Sequence, residues 1–131
     1  MNDVKSENMT IEVDHEKRRL LFTQRGPLDK VTAIQSYHLI HEVEGFGPGY
    51  DTLVDYRGIT ELNLGVSDLM DILSEAKEIE QRTGRAALVV GQDTGRYIFT
   101  KLFCALTEKF GSAKVRYMAF QTIEEAEQWL Q

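Results

Sequence analysis

Cysteine is almost absent: Cys104 stands alone among 131 residues. No disulfide can form within the chain, so a disulfide framework is excluded and a reducing, cytoplasmic setting is expected. Cys104 sits among Leu102, Phe103, Ala105 and Leu106, the surroundings of a buried inert thiol rather than a nucleophile. Cations are short as well: 15 Lys and Arg face 21 Asp and Glu, a formal net charge of −6. A nucleic-acid binder needs clustered cations to displace counterions from phosphates. The one basic cluster, Lys17-Arg18-Arg19, follows Asp14 and Glu16 and reads as a solvated turn. No apolar run approaches the ~18 residues of a membrane span, and residues 1–9 lack the apolar stretch of a signal peptide.

Catalytic signatures are missing too. There is no G-x-S-x-G, no G-x-G-x-x-G and no phosphate-binding loop ending in Lys-Ser or Lys-Thr. His38 and His41 stand three apart on a predicted helix, a spacing that supplies two metal ligands, but a third and fourth are not in evidence. Asp51 and Asp55 share one face of a predicted strand. Asp55 is expected to satisfy loop backbone donors or to pair with Arg57. No enzyme, cofactor or metal is therefore expected.

What is present is a 42% hydrophobic fraction, enough for one core. Residues 1–8 are expected to be a flexible, frayed segment and 9–131 a single domain. Ile11 and Val13 alternate with polar neighbours, and Leu20 and Phe22 do the same, so an antiparallel hairpin opens the domain. Arg25-Gly26-Pro27 punctuates its end. A helix over 28–43 carries Val31, Ile34, Tyr37 and Ile40 on one side and is stopped by Gly45, Gly47, Pro48 and Gly49. A strand over 50–56 is followed by a long connection, 57–65. A second helix, 66–83, places Leu69, Ile72, Leu73, Ala76 and Ile79 at helical spacing, with Gly84 as its cap. The apolar run 86–90 predicts a strand buried on both faces. A helix over 94–110 shows a wide apolar stripe and is expected to be well buried. A strand over 114–120 and a helix opened by the capping box Thr122 to Glu125 complete the chain. The class is α/β: a five-stranded mixed β-sheet opening with a hairpin and covered by about four helices. Sites in such sheets gather at the carboxyl ends of parallel strands, here the segments 56–67 and 91–95.

Within that order, Leu53-Val54-Asp55-Tyr56-Arg57-Gly58-Ile59-Thr60-Glu61-Leu62 resembles the segment LVDLRGVTEL of small bacterial SpoIIAA-like proteins, which lie within the wider STAS group. Residues 47–51, the opening hairpin, the run 86–90 and the closing Glu127-Gln128-Trp129-Leu130 fit the same family, from about residue 10 to 130. The resemblance implies the five-stranded mixed sheet, a fold also similar to lipid-binding CRAL-TRIO domains. It implies a regulatory module that meets a kinase or anti-sigma-like partner and is switched on a serine. The family segment MDSSG matches 62–66 here: Asn63 stands for the aspartate, and Leu64 and Gly65 for the two serines. The switch serine is thus absent, and Ser67, two or three residues later, is the remaining phosphorylation candidate. The expected role is contact with a protein through 57–68, as a monomer or homodimer. Arg57, Asn63, Leu64, Gly65, Ser67, Thr94 and Arg96 are the candidate binding residues. The alternative is a small carrier of a lipid or other hydrophobic ligand, suggested by Tyr97, Phe99, Phe103 and Phe110 on one helix. Trp129 reads equally as core or interface.

Overall fold

A computed structural model describes residues 4–5, 8–43, 46–47, 49–80, 83–112 and 114–131. Its sheet begins with β1 (Val4–Lys5), β2 (Met9–Asp14) and β3 (Arg19–Asp29). β2 and β3 are the predicted antiparallel hairpin, with Ile11 opposite Phe22 and Val13 opposite Leu20. The turn between them bends back because Lys17 N–H donates to Asp14 Oδ1 at 3.0 Å and Arg18 adopts a left-handed φ of 54°. β1 pairs Val4 with Ile11 and Lys5 with Thr10, so two residues of the segment expected to fray belong to the sheet edge.

From β3 onward strands alternate with helices: α1 (Lys30–His41), β4 (Asp51–Asn63), α2 (Val66–Ile79), β5 (Gly84–Val89), α3 (Thr94–Phe110), β6 (Val115–Phe120) and α4 (Ile123–Leu130). The strands lie in chain order, β1 to β6, and β3 through β6 run parallel. Five of them form the predicted mixed sheet, and the two-residue β1 extends it. When successive parallel strands are neighbours and every crossover has the same hand, all crossover helices fall on one face. The core agrees. Val54, Ala86 and Leu88 pack beneath α1 and α3, and Ile59 packs beneath α1 and α2. The alternate residues Leu53, Ala87 and Val89 pack against Ala126 and Leu130 of α4, the one helix among the described residues on the opposite face.

Four boundaries differ from expectation. β3 runs past Arg25-Gly26-Pro27, and β4 runs through 57–63, because these two stretches pair with each other. Pro27 is tolerated since β2 pairs β3 no further than Gln24, which leaves its missing N–H without a ladder partner to lose. α2 ends at Ile79, and Gly84 opens β5 instead of capping the helix. α1 ends at His41; of its predicted stop signals, Gly45 and Pro48 lie outside the described residues. Two burial expectations are also corrected. Val31 is 61% exposed, because α1 turns Ala33, Ser36 and Ile40 inward. α3 is the predicted length but buries only Cys104 and Thr107 fully, while Ile98, Leu102 and Phe110 stay exposed. Its stripe spans more of the circumference than the sheet and α2 together cover.

Candidate functional site

β4 outruns β5. The ladder between them ends at Asp55 and Val89, so the backbone of 57–63 has β3 on one side and no strand on the other. A carbonyl at such an edge must find another donor. Arg96, in the first turn of α3, supplies it: its guanidinium donates to the carbonyls of Ile59 and Thr60, the latter at 3.2 Å. Thr60 bulges where the β3–β4 register shifts, which turns its carbonyl toward the arginine. Arg96 is aimed by Asp93, whose Oδ1 accepts the Arg96 N–H at 3.0 Å as the N-cap of α3. Gly91, with φ of 81°, makes the left-handed turn out of β5 that this placement needs.

The predicted binding residues therefore divide. Arg96 and the segment 59–60 are brought together. Arg57 is committed locally: its Nε and Nη2 each donate to the Asp55 carboxylate at 2.9 Å, the pairing expected from the sequence. Burial pushes the Asp55 carboxyl up, but the Arg57 hydrogen bonds outweigh it and leave the group below its ordinary value. Asn63 donates to Glu61 at 3.3 Å. Gly65 N–H donates to Asp68 Oδ2 at 2.8 Å, so the start of α2 is closed by its own aspartate. Leu64 is half-buried, while Ser67 and Thr94 are exposed in the first turns of α2 and α3.

Behind Leu64 and Arg96 lies a feature that sequence patterning did not locate. A cavity of about 100 Å³ separates the sheet from α1, α2 and α3. Its walls are mainly aliphatic and aromatic, with Val54 and Leu88 on the sheet side and Leu69, Ile72, Phe99 and Phe103 on the helices. Small side chains make the room: Ala33 and Ser36 on α1 stand across from Thr52 and Ala86 on β4 and β5. The half-buried Leu62, Leu64, Arg96 and Phe99 place its outer end at the carboxyl end of β4, where an α/β sheet is expected to keep a site. Of the four α3 aromatics singled out in the sequence, Phe99 and Phe103 line the cavity and Tyr97 and Phe110 do not.

Three tyrosines reach the same space. Tyr37 Oη donates to Tyr117 Oη at 3.0 Å, and Tyr117 donates in turn to the Glu80 carboxylate, which also accepts from Ser112 Oγ at 2.8 Å. Glu80 is only 3% exposed, so these donors replace the water it has lost. Burial, and then the charge of Glu80, hold the Tyr37 hydroxyl well above its ordinary value. Burial, and then its coupling to Tyr37 and Glu80, do the same for Tyr117. Tyr56 differs. Burial alone pushes it up to about 12, and its hydroxyl makes no hydrogen bond among the described residues. Cys104 is buried, with its thiol pushed up to about 12 by burial, and offers no thiolate. His38 faces Glu75 at 3.9 Å while His41 Nδ1 meets the Tyr37 carbonyl at 2.8 Å, so the two histidines diverge. Among the described residues no three His, Cys, Asp or Glu side chains gather as a metal site.

A solved structure matches this arrangement along its whole length. It is an uncharacterised protein of the DUF3478 family from Shewanella loihica PV-4, described as having a SpoIIAA-like fold. It superposes with a TM-score of 0.57 at 20% identity, over 98% of this chain and 100% of that one. The fold is SpoIIAA-like. No family model matches the sequence, and no curated protein does. Within the SpoIIAA-like fold of this chain, Leu64 and Gly65, at the positions the resemblance gives to serines, lead directly into α2. No helix among the described residues is long and apolar enough to cross a membrane.

Proposed function

We propose that this chain is a non-enzymatic binding module that holds a small, mostly apolar molecule between its sheet and α1–α3. The observation that carries the reading is the cavity of about 100 Å³. Apolar walls around such a space lack packing partners until a bound molecule supplies them. For scale, an apolar cavity of ~150 Å³ in another protein stays dry and takes benzene. Methylcyclohexane added to ¹⁵N-labelled protein is expected to shift the amides of Val54, Leu88 and Phe103 in a saturable way. Absence of any saturable shift at those amides counts decisively against the reading.

A second reading is contact with a regulatory protein, of the kinase or anti-sigma-like kind, through residues 57–68. It is supported by two exposed apolar side chains, Val66 and Met70, on either side of Ser67 in the first turns of α2. A pull-down with and without ATP tests it, and Val66→Asp should abolish any specific capture.

A further inference from the structure

Several polar groups on the cavity wall already donate within the protein. Ser36 Oγ donates to the Ala33 carbonyl at 2.6 Å, and Thr100 Oγ to the Arg96 carbonyl at 2.7 Å. The Tyr37 proton goes to Tyr117 and the Tyr117 proton to Glu80. The Arg96 guanidinium is shared between two backbone carbonyls, with Asp93 4.0 Å from its Nε. The hydroxyls among these groups have spent their protons. Tyr56 has not. It stands on β4 two residues beyond Val54 and four beyond Thr52, so all three face the cavity. Tyr56 is half-buried, and its O–H, with no acceptor among the described residues, is open to an acceptor that enters the cavity.

Resting on the binding reading above, we propose that the cavity takes a neutral, single-ring-sized molecule whose one acceptor oxygen, a ketone, ether or hydroxyl, receives the Tyr56 Oη–H. Size follows from the volume. Neutrality follows from the charges. Arg96 is held by backbone and Asp93, Glu80 stands behind Tyr117, and the His41 ring on the wall is engaged through Nδ1 by the Tyr37 carbonyl, so a charged head would leave water without an unengaged counter-ion. The hydroxyl gives orientation, and the aliphatic walls give affinity.

Cyclohexanone is the probe, with methylcyclohexane as the oxygen-free control and cyclohexanecarboxylate as the charged one. Dissociation constants come from amide-shift titration of the wild type and of Tyr56→Phe. Cyclohexanone should bind the variant about tenfold more weakly, the effect of one net hydrogen bond, while methylcyclohexane binds both alike. In the wild type, a nuclear Overhauser contact should join the α-protons of bound cyclohexanone to the Tyr56 ring, a readout that needs no variant. An unchanged cyclohexanone constant in Tyr56→Phe, or a bound ketone without that contact, overturns the assignment and leaves the cavity reading standing. Tighter binding of the carboxylate than of the ketone overturns neutrality. Failure of both methylcyclohexane and cyclohexanone to bind the wild type removes the cavity reading itself.

Discussion

At the scale of single residues, the tyrosines around the cavity set a limit on stability. Tyr37, Tyr56 and Tyr117 all hold their protons more tightly folded than unfolded. The unfolded chain loses those protons near pH 10, while the folded protein keeps them until the raised values are reached. Their contribution is therefore complete below pH 10 and is lost as the pH climbs through the folded values, about 12 for Tyr56. Tyrosinate absorbance at 295 nm, followed with far-ultraviolet circular dichroism from pH 8 to 12.5, should show a step that coincides with loss of helix. A step for three tyrosines completed near pH 10 in still-folded protein contradicts the buried placement. None of this was readable beforehand. The sequence places Tyr37 on an inward face and Tyr117 in a strand, but Glu80 looks like an ordinary surface residue late in a helix. Only its position across from β6 makes it a buried acceptor.

At the scale of elements, the start of α2 and the outer face of α3 carry the sharpest contrasts. Gly65 has extended backbone, and a Cβ there meets nothing nearer than Asp68 Oδ2 at 3.8 Å. Gly65→Ser, which installs the residue the family resemblance calls for, should fold normally and gain a few tenths of a kcal/mol from the N-cap hydroxyl. A loss of more than about 1 kcal/mol in urea denaturation would show that the turn is tighter than this. On α3, Ile98→Lys should change stability by less than about 0.5 kcal/mol. Phe103→Ala should cost about 3 kcal/mol, because Ile98 is 59% exposed whereas Phe103 packs on Val54 and Tyr117. The hydrophobic periodicity of α2 was legible, since Leu69, Ile72, Leu73 and Ala76 are all inside. That of α3 misled: an apolar stripe says which side can be buried, not how much neighbouring surface exists to bury it. The strand at 57–63 escaped for a related reason. Gly58, Thr60, Glu61 and Asn63 break the alternation because this end of β4 lies beyond β5, and of residues 57–63 only Ile59 is buried and Leu62 half-buried.

For the whole molecule, the chain order of elements was enough to yield the class, since a hairpin followed by alternating helices and strands leaves few topologies. The cavity was not, because it forms where residues from several elements fail to meet, and no local pattern encodes a gap. The same topology isolates α4. With α1, α2 and α3 on one face, this last helix is the one that holds the opposite face among the described residues. Arg85 fastens it. Nη1 donates to the Trp129 carbonyl at 2.6 Å and Nη2 to the Leu130 carbonyl at 2.8 Å, carbonyls the helix end leaves without partners. Asp51 steers the same guanidinium, accepting from Nε at 3.3 Å and Nη2 at 2.8 Å. Trp129, which read equally as core or interface, is half-buried between Phe120, 5.6 Å away between centroids, and Arg85, 5.5 Å above its ring. Arg85→Ala should therefore cost about 2 kcal/mol through lost charge-assisted hydrogen bonds. It should act locally first: amides of Ala126–Leu130 should exchange with solvent faster while those of Ala87 and Val89 keep their protection. Trp129 is the only tryptophan, so its emission should shift red before the global unfolding transition. Arg85→Lys, a point charge without the fork, should recover part of the loss. Uniformly faster exchange across sheet and helix alike would mean that Arg85 supports the whole core and that α4 has no separate fastening.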